Sequence, residues 1–180
     1  MSDRAQERVR RVHLGDVDPA VLAALAARTF PLACPAELPP SDIAAFVDVH
    51  LSPSVFADHL DDPAAHVYLS GTATHPDGYA LVLHGIRSEA PGRWAARHTA
   101  YISKIYVDAA QHGAGVAAGL MAAVLDGARA DRCRAAFLGT NRGNARAKRF
   151  YAKSGFDIVG ERRFTVGSIA CIDDVLLLEL

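Results

Sequence analysis

One stretch of this chain alternates strand, helix, strand, helix, and that order limits the folds open to it. Thr99–Val107 (TAYISKIYV) reads as a long strand, followed by a glycine turn, QHGAGVA (Gln111–Ala117). Gly115 begins a helix with Val116, Leu120, Met121, Val124 and Leu125 on one face, a helical spacing. Arg134–Thr140 (RAAFLGT) is a buried strand, and a helix from Asn144 comes next. A strand–helix–strand unit calls for two parallel strands joined by a crossover. The remaining strands have no such partner helices, so they pair antiparallel and the sheet is mixed.

The flanking segments read as follows. Arg8–Leu14 alternates like a strand, and Asp18 caps a helix that opens with Pro19 and runs through VLAALAARTF. Pro31, Pro35, Pro39 and Pro40 break the chain into a loop containing Cys34. Ser41 is the expected cap of DIAAFVDVHL, and Ser52-Pro53 starts a short helix over VFADHL. His66–Thr72 and Tyr79–Ile86 form a hairpin through THPDG. Arg87–Arg97 is a polar loop around Trp94, and two strands, DIVGERRFTV and IDDVLLLEL, close the chain. No repeat or linker interrupts it, and 180 residues suit one domain, 1–180.

Composition removes several classes of function. Half the residues are apolar and 22% charged, which is globular rather than disordered. A net charge of −1 argues against a general nucleic-acid partner. Cys34, Cys133 and Cys171 are odd in number and far apart, which favours free thiols in a reducing compartment. No apolar run approaches the ~18 residues of a membrane span. MSDRAQERVRRV lacks the apolar stretch of a signal peptide, so a soluble, cytoplasmic protein is expected. The charge is unevenly placed: eight acids lie between Gly15 and Asp62 against the single Arg28. Arg142, Arg146, Lys148, Arg149 and Lys153 follow one another with no acid between them. These are two solvated faces, or two fields drawing opposite ligands to opposite mouths of one cleft.

The glycine turn is the first chemical motif. A helix N-terminus offers free N–H groups and a positive dipole end, so it holds phosphate without side-chain charge. Gly113 and Gly115 allow backbone angles that a Cβ would forbid. Alone, such a turn is equally a plain strand-to-helix connection. A dinucleotide fold would want an acid ending the next strand, but that strand ends FLGTNR. A P-loop would want Gly-Lys-Ser/Thr, which is also absent.

The second motif is NARAKRFYAKSGF, Asn144–Phe156. Ala147, Phe150 and Tyr151 share one helix face, and Arg146, Arg149 and Lys153 lie on another. Phe150 reads as core. A buried Tyr151 hydroxyl wants a partner, and a thiol laid on the phosphate turn would supply one. A phenol titrates near ~10 and a thiol near ~8.5, so neutral tyrosine can protonate a departing thiolate. The neighbouring bases would suit a 3′-phosphate.

Together, IYVDAAQHGAGVAAGLM and NARAKRFYAKSGF resemble the two signatures of the GNAT superfamily of N-acetyltransferases. The second matches at Asn144, Ala147, Phe150, Tyr151, Lys153, Gly155 and Phe156. The first departs at His112, where arginine or glutamine is usual. ALAARTF, SPSVFADHL, SKIYV and FTVGSIACIDDVLLLEL are similar to the polyamine acetyltransferase-like branch. The resemblance implies an α/β acyl-CoA N-acyltransferase fold: about seven strands in a mixed sheet, splayed at a V-shaped cleft and flanked by helices. It implies acetyl-CoA as cosubstrate, with Ile105 and Val107 pairing its pantetheine arm through their main chain. His112, Gly113, Ala114, Gly115, Val116 and Ala117 would hold the pyrophosphate. Asn144, Ala147, Tyr151 and Lys153 complete the coenzyme site, and Tyr151 is the general acid. The amine attacks the thioester directly, with the oxyanion held by an amide near Val107. Neither a metal nor a covalent intermediate is required.

The acceptor half has no motif. Tyr101, Ser103 and Glu89 could stand near the cleft as bases. The acids from Gly15 to Asp62 fall where such a fold builds its acceptor wall, and Asp173 and Asp174 lie near the facing strand. That pattern favours a small cationic amine such as a polyamine; a protein N-terminus or lysine, or CoA binding without turnover, stays open. Neither nucleic acid nor membrane is an expected partner, and the chain would act as a monomer or homodimer. The eight histidines show no HxxxH or HExxH pair, so no metal site is expected. Ser154 at a helix end makes no nucleophile elbow.

Overall fold

The structure, a computed structural model, describes residues 9–86, 90–96, 98–166 and 169–180. Glu89 lies outside the described residues. Seven strands form one sheet: β1 (Val9–Val12), β2 (Ala65–Gly71), β3 (Pro76–His84), β4 (Thr99–Val107), β5 (Ala135–Asn141), β6 (Asp157–Val166) and β7 (Ile169–Glu179). Their order across the sheet is β1-β2-β3-β4-β5-β7-β6. Every neighbouring pair is antiparallel except β4 and β5, the pair joined by the crossover helix. The mixed sheet expected from the order of elements is thus the one found.

Among the described residues five α-helices flank the sheet: α1 (Pro19–Thr29), α2 (Pro40–His50), α3 (Pro53–Asp61), α4 (Val116–Ala130) and α5 (Ala145–Lys153). Asp18 caps α1, its carboxylate accepting from the Ala20 amide at 2.9 Å. The cap expected from Ser41 is not found: α2 starts one residue earlier, at Pro40, whose missing N–H costs nothing in a first turn. Ser52 does precede α3, but its hydroxyl meets that of Ser54 at 3.0 Å instead of the backbone.

β2 and β3 are buried on both faces. Val67, Leu69, Tyr79 and Leu81 pack with Leu22, Leu25, Phe56 and Leu60 of α1 and α3. Tyr68, Ala80 and Val82 pack with Leu120, Met121, Val124 and Leu125 of α4, the face read from the sequence. Two features of β4 set up the site. It pairs with β5 only at Thr99↔Ala135, Ala100↔Ala136 and Tyr101↔Phe137, after which the two strands part. Against β3 its register shifts, because Leu81 faces Lys104 while Val82 faces Ile102. Ser103 is the extra residue of a bulge. Ile102 and Ile105 therefore both pack towards α4 although three residues apart, and Tyr106 packs on the opposite face.

Candidate active site

Where β4 and β5 separate, two cavities open on either side of a shared wall. The first, about 410 Å³, runs along Ile105–Val107 to the glycine turn and the first turn of α4. Gly113 and Gly115 have φ of +87° and +84°, angles that penalise any side chain, so glycine is what this turn requires. Gly115 is the N-cap of α4 and brings no side chain to cap it. Val116, Ala117 and Ala118 occupy the first turn, where amides have no intrahelical acceptor, and all three line the cavity. The result is a concave, donor-rich end on a helix dipole, the chemistry that a pyrophosphate fits.

His112 does not point away as a plain turn residue. Its Nε2 donates to the Val107 carbonyl at 3.2 Å, and its Nδ1 accepts from Arg146 at 3.0 Å. Those partners define a neutral tautomer, since a carbonyl can only accept and a guanidinium can only donate. Arg146 is the one member of the basic run that lines this cavity. Arg142 is tied to Glu161 and Asp174, and Lys148 to Asp174. These pairs hold the Asp174 carboxyl below the ordinary range, the Arg142 hydrogen bond acting most strongly.

Asn144 caps α5 by accepting from the Ala147 amide at 3.0 Å, and it reaches both cavities. Ala33, Ile105, Tyr106, Asn144, Ala147 and Tyr151 line the two cavities in common. Tyr151 is 8% exposed, and burial pushes its phenol well above the usual tyrosine value. It is a neutral hydroxyl at the neck between the chambers.

The second cavity, about 330 Å³, is walled by Phe30, Pro35, Leu38 and Phe46 on one side. Tyr101, Lys104, Arg162 and Asp173 supply its polar groups. Arg162 donates to Asp173 at 3.0 Å and to the Tyr101 hydroxyl at 3.0 Å. Among the described residues the Lys104 ammonium hydrogen-bonds to the Ser103 hydroxyl, 3.2 Å away, and burial holds it below the ordinary lysine value.

Most of the expected coenzyme residues converge: Ile105, Val107, His112, Gly113, Gly115, Val116, Ala117, Asn144, Ala147 and Tyr151 all line the first cavity. Two do not. Ala114 spends its amide on the Gln111 carbonyl within the turn, and Lys153 is exposed at the far end of α5. The acidic acceptor wall is also corrected. None of the eight acids between Gly15 and Asp62 lines either cavity, because the segment turns apolar side chains inward and leaves its carboxylates outside. No motif marks Lys104 or Arg162; for Lys104 the sequence signal is a lone charge inside the otherwise uncharged strand TAYISKIYV.

The sequence profile of the acetyltransferase (GNAT) family matches residues 22–156. A Mycobacterium tuberculosis protein (strain H37Rv) named as an uncharacterized N-acetyltransferase is 42% identical over 162 residues, covering 88% of this chain and 96% of that protein. A Mycobacterium bovis relative with the same description matches to the same extent. The crystal structure of PaiA N-acetyltransferase from Thermoplasma acidophilum in complex with coenzyme A superposes with a TM-score of 0.73 at 13% identity. That superposition covers 96% of this chain and 98% of the other. A GCN5-related N-acetyltransferase from Rhodopseudomonas palustris gives 0.71 at 17% identity, covering 96% and 94%. The chain belongs to the GNAT family of acetyltransferases.

Proposed function

From that membership we propose that the chain transfers the acetyl group of acetyl-CoA to the primary amine of a small molecule that also carries an anionic group. The observation behind it is the meeting of two chambers at Tyr151, one ending in the amide-lined glycine turn and the other in Lys104 and Arg162. In this reading the turn and Arg146 hold the phosphates, and main chain at Ile105 and Val107 takes the pantetheine arm, displacing His112 from the Val107 carbonyl. The thioester then sits at the neck. The neutral amine nitrogen bonds to the carbonyl carbon, the C–S bond breaks, Tyr151 gives its proton to the departing sulfur, and the proton shed by the nitrogen passes through water to restore the phenol. The burial that keeps the phenol protonated also makes a thiolate more basic, so donor and acceptor stay matched.

The polyamine reading rests on free carboxylates, and they are already engaged. Asp173 is held by Arg162, and Asp174 by Arg142 and Lys148. Lys104 has no carboxylate within ion-pairing distance among the described residues, so it is the charge offered to an acceptor. The test is acetyl-CoA-dependent thiol release with matched amines that differ only in bearing a carboxylate, a phosphate or a second amine. Turnover led by the anionic members is expected, with KM raised about tenfold in Lys104→Met. Turnover led by polyamines or by peptide N-termini would overturn the acceptor class while keeping the transferase.

A further inference from the structure

Far from the cleft, side chains from four segments converge beside the C-terminal end of α4. Asp131 follows that helix, His66 lies on β2, His84 ends β3, and Cys133 precedes β5. The α4 backbone closes tightly there: the Asp131 amide donates to the Gly127 carbonyl, Cys133 to Ala128, and Arg132 takes a positive φ of 58°. That turn brings the Asp131 carboxylate 3.4 Å from His66 Nδ1 and 3.7 Å from His84 Nε2. The two imidazole rings lie 4.4 Å apart, centre to centre. His66 and His84 are almost buried, with side chains 8% and 11% exposed, whereas Asp131 keeps 37%.

From this geometry we propose that His66, His84 and Asp131 form a binding site for a divalent transition-metal ion of the zinc class. The Nε2 of His84 is buried and has no hydrogen-bond partner among the described residues. Its other nitrogen, Nδ1, faces the Cys133 sulfur at 3.6 Å. With the proton on Nδ1, the tautomer that belongs to the proposed site, the Nε2 lone pair faces Asp131. An imidazole lone pair and a carboxylate facing each other repel unless a cation stands between them. A metal ion satisfies both rings and the carboxylate at once.

The distances suit it. Tetrahedral ligands at 2.0–2.1 Å from zinc stand about 3.4 Å apart. Two imidazole nitrogens and a carboxylate oxygen are donors for zinc, cobalt or nickel rather than for calcium or magnesium. Asp131, the exposed member, leaves the fourth position to water. Cys133 acts on the ligand rather than the metal, fixing the His84 tautomer through Nδ1–H. A second grouping, His84, His98 and Cys133, also brings its donor atoms within 4.8 Å of one another. It uses the other nitrogen of the same ring, the one that faces the Cys133 sulfur. The proposed ion ties the end of α4 to the β2–β3 hairpin, about 22 Å along the helix from the glycine turn. The spacing rule that set metals aside applies to ligands on one helix, and these come from separate segments.

The test uses full-length protein stripped with a chelator and titrated with Zn²⁺ by calorimetry and thermal unfolding. One ion per chain with a raised Tm is expected, abolished in Asp131→Asn and in His66→Asn and weakened about tenfold in Cys133→Ala. The Co²⁺-loaded protein should show four-coordinate visible bands without a thiolate-to-metal charge-transfer band. No stoichiometric binding would overturn the site. So would binding that survives Asp131→Asn and His66→Asn but is lost in Cys133→Ser and His98→Asn. Should a variant fail to fold, the ¹¹³Cd resonance of the unaltered protein decides: a nitrogen–oxygen shift supports the assignment, and a sulfur-ligated shift refutes it.

Discussion

At its N-terminus α4 meets the cleft with bare main chain: Gly113, Gly115 and three first-turn amides, with no side-chain cap. At its C-terminus the same helix is enclosed by side chains, among them His66, His84 and Cys133. In the proposed sites, one end would recognise by backbone and dipole, the other by imidazole and carboxylate. A backbone site is written in consecutive residues and survives changes in its surroundings. A side-chain site is scattered along the sequence and depends on how the strands are set against one another.

The largest expected effect asks whether the cleft end performs chemistry or only binds. Tyr151→Phe should lower kcat by roughly 10²–10⁴-fold with the acetyl-CoA Kd almost unchanged, measured by thiol release and calorimetry. Full rate in that variant would reduce Tyr151 to a wall residue. Next, Gly115→Ala places a Cβ at φ +84°, a cost of about 1–2 kcal/mol. If the amide cradle holds the coenzyme, its Kd rises roughly tenfold; an unchanged Kd would mean that the turn only connects.

A third test concerns pH. Burial lowers the Lys104 pKa from 10.5, so the side chain is charged below that lowered value and neutral above it. The KM for an anionic acceptor should rise as pH climbs through it, and Lys104→Met should remove that dependence. A rise that persists in Lys104→Met would assign it to another group. The smallest effect is a control remote from both cavities. Asp18→Ala removes the α1 cap, costing about 1 kcal/mol and about 2–4 °C of Tm, with kcat unaltered. A changed kcat would show that the N-terminal helices are coupled to the chemistry.

The legibility of this molecule follows the same division. The glycine turn and the α5 face were readable because their groups are local: consecutive amides in one case, residues three and four apart in the other. The parallel β4/β5 pair was readable because a crossover helix demands it. Lys104 was not, since the bulge at Ser103 decides which face it takes, and nothing in SKIYV marks a bulge. Arg162 and Asp173 meet across two strands, a pairing that depends on register. The acidic wall failed for a related reason: composition counts the charges of a segment but not the direction in which its helices turn them. His66 and His84 are eighteen residues apart, so only the folded sheet gathers them.

The parting of β4 from β5 after three paired residues has a further consequence. The edge it bares is a row of peptide groups, identical whatever side chains the strand carries. A cosubstrate gripped by such an edge imposes little demand on heredity, and the neighbouring acceptor chamber is free to drift without endangering it. On the proposed reading, the open seam would let an acceptor chamber change its side chains while the donor stays held by main chain alone.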